Sequence, residues 1–284
     1  MGSTLPVSLV GCGLLGTTAD DHGILERAFA EACATQGIVP GTAAYAHYMV
    51  GVHQARGQSA VDVFRGLFPD EDGRAEAAAL SFERSFRTAV DRTEISPVPG
   101  AEEAIGQLSE SGVRVCLITS LSRRLLGLVL DSLRWWRLID LTLCPEDVPR
   151  GCPWPDLMLT AMLRLGVEDV REAAFVGSTA SEIQCGGRSG AGVVAGVLTG
   201  GHTSDRLRAA GATHLVDEIA QLPGLLLGSS MPGAAGSARG DAVPAGGARA
   251  GSAPGVPAPA PAPSAASTSA PRPQVPLERR NSGL

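Results

Sequence analysis

The order of apolar runs predicts an α/β fold: a parallel sheet with a block of helices inserted after its first strand. Two observations carry this prediction. Short apolar, often β-branched runs alternate with helix-like stretches from residue 7 to residue 216, the pattern of βαβ units with right-handed crossovers. One long stretch, from about His22 to Asp91, contains no strand signal at all. In such sheets ligands bind beyond the carboxyl ends of the strands, so the loops that follow each apolar run are where function is expected.

Taken in order, Val7–Val10 is a short apolar strand, and the helical block follows it. A helix near Gly100–Ser111 starts after a glycine and leads to a strand at Val113–Ile118. A helix near Arg123–Leu133 connects to a strand at Leu141–Cys144. A helix near Pro155–Leu165, opening on proline, precedes a strand at Ala173–Val176. A helix near Ser181–Ser189, a strand at Gly192–Val197, a helix near Asp205–Ala210 and a strand at His214–Val216 complete the series. Residues 1–20 and 96–228 are expected to form the α/β core and residues 21–95 the inserted helical cap. From Ser229 to Leu284 there is no aromatic residue, and half of the chain's 20 prolines fall there. That tail is expected to be a solvated, disordered segment of Pro, Ala, Gly and Ser with local polyproline II character.

Composition excludes several classes of function. The 284 residues are 44% apolar and contain no run long enough to span a bilayer, so no membrane association is expected. The first ten residues lack the charged and apolar regions of a secretory signal. The net charge of −6 argues against a non-specific nucleic-acid binder. All 23 basic residues of the Lys+Arg count are arginine, which removes lysine Schiff bases and the P-loop lysine clamp. Cys12, Cys33, Cys116, Cys144, Cys152 and Cys185 form no C-x-x-C pair and mostly lie in apolar runs. They read as reduced, buried thiols of a cytoplasmic protein. Gly11-Cys-Gly-Leu-Leu-Gly16 matches G-x-G-x-x-G, but no helix opens inside it and no second strand ending in an acid follows, so a dinucleotide site is not expected.

Taken together, the strand-end loops carry a more specific signal. Val7–Asp21 (VSLVGCGLLGTTADD) resembles the first motif of the haloacid dehalogenase (HAD) superfamily, in its phosphonoacetaldehyde hydrolase-like, or phosphonatase-like, branch. Val115–Arg123 (VCLITSLSR) resembles the second motif, Pro145–Asp156 (PEDVPRGCPWPD) the third and Phe175–Ile183 (FVGSTASEI) the fourth, in the same order. The resemblance implies a Rossmann-like core with a type C1 helical cap and magnesium-dependent hydrolysis through an aspartyl nucleophile.

Carried over residue by residue, the catalytic positions are depleted. The nucleophile position is Gly13, which has no side chain. The cation position of the third motif is Cys152, a neutral thiol. The two acid positions of the fourth motif are Ser178 and Glu182, a degenerate metal site. The cap stretch Arg56–Phe64 resembles a family segment whose lysine position here is Ala60. Gly16, Thr17, Thr119 and Ser120 remain as a remnant of the phosphate cradle. The Asp20–Asp21 pair reads as helix-start chemistry for the segment after it.

The expectation is therefore a HAD-family hydrolase homologue without catalysis, needing no cofactor and binding a small phosphorylated ligand or a protein partner. The alternative is an active hydrolase that has recruited Asp20, Asp21 or Glu182, with Mg2+ as its cofactor. The sequence leaves a homodimer open. Bias toward arginine does not account for Cys152 and Ala60, because such bias predicts arginine at both positions.

Overall fold

The structure is a computed structural model, and it describes residues 6–93 and 95–228. The tail assigned above to residues 229–284 lies outside the described residues. Six parallel strands form the sheet, in the order β5-β4-β1-β6-β7-β8. They are β1 (Leu9–Gly13), β4 (Arg114–Ile118), β5 (Leu141–Leu143), β6 (Ala173–Gly177), β7 (Val193–Val197) and β8 (His214–Val216). The connecting helices are α5 (Ala101–Glu110), α6 (Arg123–Leu133), α7 (Asp156–Arg164), α8 (Ala180–Arg188) and α9 (Ser204–Ala209), with α10 (Leu222–Leu227) closing the series.

The central strands are covered on both faces, as parallel sheets require. Val10, Cys12, Val115, Leu117, Ala174 and Val176 belong to one apolar layer. The alternate residues Leu9, Cys116, Ile118, Ala173 and Phe175 belong to the other. The first strand runs three residues further than its apolar run suggests. Glycine weakens a strand read in isolation, yet β1 ends on Gly11-Cys-Gly13, paired with β4 through Gly13 opposite Ile118. Gly11 has a packing reason: a Cβ there would lie 2.7 Å from Met158 Sδ on α7.

The helical insertion contains α1 (Ile24–Thr35), α2 (Ala43–Gln54), α3 (Ala60–Leu67) and α4 (Asp72–Val90), matching the strandless stretch. Its centre is aromatic: the Phe29 and Phe82 rings are 4.4 Å apart and the Phe64 and Phe68 rings stack at 6.1 Å. The chain leaves and re-enters the core through a short antiparallel pair that sequence patterning does not reveal. It joins β2 (Ala19–Asp20) to β3 (Ser96–Pro97). Among the described residues no helix is long and apolar enough to cross a membrane. Trp135 is buried and donates Nε1–H to Glu102 Oε1 at 2.7 Å, whereas Trp136 is exposed.

Candidate functional site: a closed polar centre beneath the helical insertion

The carboxyl ends of β1, β4 and β6 lie side by side and bring Gly13, Thr119 and Ser178 together, as the strand-end argument expects. The loop after β1 turns tightly. Gly16 takes φ +79°, a conformation glycine adopts without strain. Its N–H donates to Ala19 O at 2.7 Å, and the Thr18 N–H donates to Leu14 O at 2.9 Å. These amides are thus spent inside the turn, and the Thr18 hydroxyl is spent there too, on the Gly13 and Leu14 carbonyls. Thr17 is fully buried and donates Oγ1–H to Ser178 Oγ at 3.0 Å.

Glu182 dominates the centre. It is the third residue of α8 and closes a capping box with Thr179, whose Oγ1 accepts the Glu182 N–H at 3.3 Å. Its Oε2 accepts from the Ser178 N–H and the Thr179 N–H, both at 3.0 Å, and from Thr179 Oγ1–H at 2.9 Å. The other oxygen, Oε1, points at Gly13. A Cβ built on Gly13 would overlap Glu182 Oε1, and it would lie 2.9 Å from both Glu182 Cδ and Thr17 Oγ1. The carboxylate of Glu182 therefore fills the space that a side chain at position 13 would need. Burial pushes the Glu182 carboxyl above its ordinary range. The hydrogen bonds from Thr179 and Ser178, and the nearby charge of Arg56, pull the other way.

Arg56 is the cation of this centre, and sequence reasoning did not select it. It follows α2 in the helical insertion, and its side chain is only 16% exposed, with Nη1 3.0 Å from Glu26 Oε1. Its guanidinium occupies the space over Gly201, where a Cβ would lie 2.5 Å from Nη1. With Thr119, Ser178, Thr179 and Glu182 it lines a cavity of about 30 Å³, room for about two or three waters. His202 was missed as well. Its Nδ1 accepts the Ala180 N–H at 2.8 Å, which places the ring proton on Nε2, and that proton is donated to the His53 carbonyl at 3.0 Å. Arg206 donates to the Gln54 carbonyl at 2.8 Å. Both contacts tie the end of α2 to the core. The sequence signal was faint: a lone histidine in a glycine-rich strand-end loop.

The remaining sequence-selected residues fall in three places. Thr119 is buried and its Oγ1 accepts the Leu121 N–H at 3.2 Å, with Ser120 beside it at the cavity wall. Cys152 is buried in the apolar layer with Met158 and Cys185, near enough to Glu182 for that carboxylate to act on its thiol. The adjacent Cys185 thiol and burial raise its pKa well above the ordinary thiol value, in keeping with a buried, reduced thiol. Ala60 opens α3 and lines a separate, larger cavity. Asp21 Oδ2 accepts the Leu25 N–H at 2.6 Å and Asp20 Oδ1 the His22 N–H at 2.8 Å, so both serve the start of α1.

A magnesium ion does not fit this donor set. Mg2+ takes hard oxygen ligands in near-octahedral geometry, with one or two carboxylates. Here Glu182 is the lone carboxylate beside two hydroxyls that bond each other. Among the described residues no three His, Cys, Asp or Glu side chains form a group able to hold a metal.

A family model described as haloacid dehalogenase-like hydrolase matches residues 13–190. The chain belongs to the haloacid dehalogenase-like hydrolases. Among curated members it is 32% identical over 169 residues to a probable phosphatase, IndB, of Dickeya dadantii, a match covering 58% of this chain and 73% of that one. It is 27% identical to the phosphonoacetaldehyde hydrolase of Bacillus cereus, covering 44% of this chain and spanning about half of that enzyme's length (48%). Such relatives place it in the phosphonatase-like branch of the HAD superfamily. The fold agrees with that of a hydrolase from Pseudomonas syringae, with TM-score 0.68, 23% identity and coverage of 78% of this chain and all of the other. The sequence motifs, the six-stranded parallel sheet and the helical insertion thus agree on one HAD fold.

Proposed function

We propose that this HAD homologue does not hydrolyse phosphoryl compounds and instead keeps the scaffold for binding. The observation that carries the reading is the Glu182 carboxylate lying where a nucleophilic side chain on residue 13 would branch. With no side chain at Gly13, no phospho-aspartyl intermediate forms there. Without a metal to offset the repulsion, a phosphate dianion approaching Glu182 meets like charge. Binding of a phosphorylated ligand falls to the hydroxyls of Thr119 and Ser120 and the guanidinium of Arg56, which line one cavity, while Gly16 and Thr17 of the expected cradle lie behind its wall.

The test is phosphate release from a panel of phosphate esters and from phosphonoacetaldehyde, with and without Mg2+. The expected result is no turnover above background. Metal-dependent turnover by the unmodified chain overturns the reading. A repaired variant must carry Glu182→Asp along with Gly13→Asp, Cys152→Arg and Ser178→Asp, because the side chain introduced at position 13 needs the space Glu182 fills.

A second reading has one observation in its favour: Glu182 Oε2 takes three donors, while Oε1 takes none and borders the cavity. In that reading Glu182 is itself the attacking carboxylate. Turnover in the unmodified chain that disappears in Glu182→Gln is the result that selects it.

A further inference from the structure

A second cavity, a cleft of about 520 Å³, lies between α3 and α4 of the insertion and the loops after β4 and β5. That volume is within the usual range of small-molecule sites, and it is far larger than the closed space around Glu182. Its walls are apolar, with Val61 and Leu80 at the sides and the buried Phe82 at the base. Leu80 is 60% exposed and presents an apolar side chain at the mouth of the cleft. The small side chain of Ala60 leaves the cleft open, and Ser120 lines both the cleft and the polar centre.

The charge of the cleft is of one sign. Every charged side chain that lines it is acidic: Glu76, Glu83 and Glu146. Glu76 lies 3.7 Å from Arg65, and Glu146 Oε1 accepts the Arg123 N–H at 2.9 Å. Glu83 has no ion-pair partner within 4 Å among the described residues. The nearby cations Arg84, Arg87 and Arg124 line a different groove, on the other side of Leu80 and Glu83. An apolar cleft with an acidic lining and no basic side chain disfavours anions and complements a compact cation with an apolar body.

We propose that this cleft is a binding site for small organic ammonium compounds, with the apolar body against Val61, Leu80 and Phe82 and the ammonium group facing Glu83. The assignment rests on the reading of the protein as a binder, but it concerns a cavity distinct from the Glu182 centre. It follows from the lining of the cleft, which shares only Ala60 with the positions matched to the family's catalytic groups.

The experiment is calorimetric titration of the full chain with four matched probes: 2-phenylethylammonium, 2-phenylethanol, 3-phenylpropionate and 2-phenylethyl phosphate. The expected order puts the ammonium first, about tenfold tighter than the alcohol, with the two anions weaker still; tenfold corresponds to about 1.4 kcal/mol. Glu83→Gln should erase the preference for the ammonium over the alcohol without changing the melting temperature. Ala60→Lys, which adds an internal cation to the cleft, should weaken the ammonium and not the alcohol. Equal binding of ammonium and alcohol, or no binding of any probe, overturns the assignment. Tightest binding by the phosphate ester overturns it too, while leaving the non-hydrolytic reading intact. Turnover in the phosphate-release assay overturns that reading and leaves the ammonium titrations to be judged on their own.

Discussion

Restoring an aspartate at position 13 is the sharpest perturbation of this molecule. The Gly13 backbone is not among the positive-φ glycines, so a side chain there causes no backbone strain. The obstacle is Glu182. A bare Cβ already overlaps Glu182 Oε1 and crowds Thr17 Oγ1 at 2.9 Å. Gly13→Ala should therefore behave as an overpacked core substitution and cost about 1–3 kcal/mol. Gly13→Asp adds a second carboxylate beside a buried one. At roughly 4 Å and an effective dielectric near 20, two like charges repel by about 4 kcal/mol. That is equivalent to about three pKa units at about 1.36 kcal/mol each, so the pair will hold a proton at pH values where an isolated carboxyl would not. The folded pKa is raised, so the folded state binds the extra proton and the penalty is present at neutral pH and relieved as the pH falls toward 5. Urea denaturation of the wild type, Gly13→Ala, Gly13→Asp and Gly13→Asp/Glu182→Gln from pH 5 to 8 measures each contribution. The double variant should regain most of the electrostatic loss. If Gly13→Asp is as stable as the wild type at pH 8, Glu182 does not hold the space assigned to it.

Two further outcomes follow from the same geometry. Burial depresses the pKa of His202 below its ordinary 6.5, with His53, Arg206 and Arg56 all cationic or able to become so around it. Protonation would place a second N–H against the Ala180 N–H, so stability should be flat above pH 6.5 and fall below it, as the unfolded histidine takes up protons the folded one refuses. His202→Gln should flatten that slope in thermal melts; an unchanged slope refutes the assignment. Cys152, pushed well above 9 and 7% exposed, should resist iodoacetamide at pH 8 in the native protein and react fully in denaturant, as mass spectrometry can read.

Much of the architecture is legible in the residues themselves. The apolar runs at Val113–Ile118 and Ala173–Val176 lie within a residue of β4 and β6, because buried parallel strands are continuous apolar runs. The end of β1 is not legible, since Gly11 and Gly13 pair through backbone alone and their fitness depends on Met158 and Glu182, distant in sequence. The same holds for the site. The replaced positions Gly13, Cys152 and Ser178 can be read from motif order. That Glu182 reaches back to Gly13, that Arg56 enters the centre from the insertion, and that His202 in the loop after β7 ties the insertion to α8, depends on tertiary placement with no local pattern. Cys152 shows both sides: motif order places it beside the site, and Glu182 does act on its thiol, but its burial with Met158 and Cys185 has no local pattern.

The capping box gives Glu182 a consequence for how this sequence can change over generations. The residue secures the start of α8 and fills the space beside Gly13 at once, so selection for a stable helix also maintains the obstruction. A single change that placed aspartate at position 13 would first be met as a folding defect, and a change at position 182 alone would loosen the helix start. Each first step is unfavourable until the other has occurred. Gly13 and Glu182 thus form one unit, in which the same carboxylate sets both the helix start and the space at the strand end, and the two positions are free to vary only together.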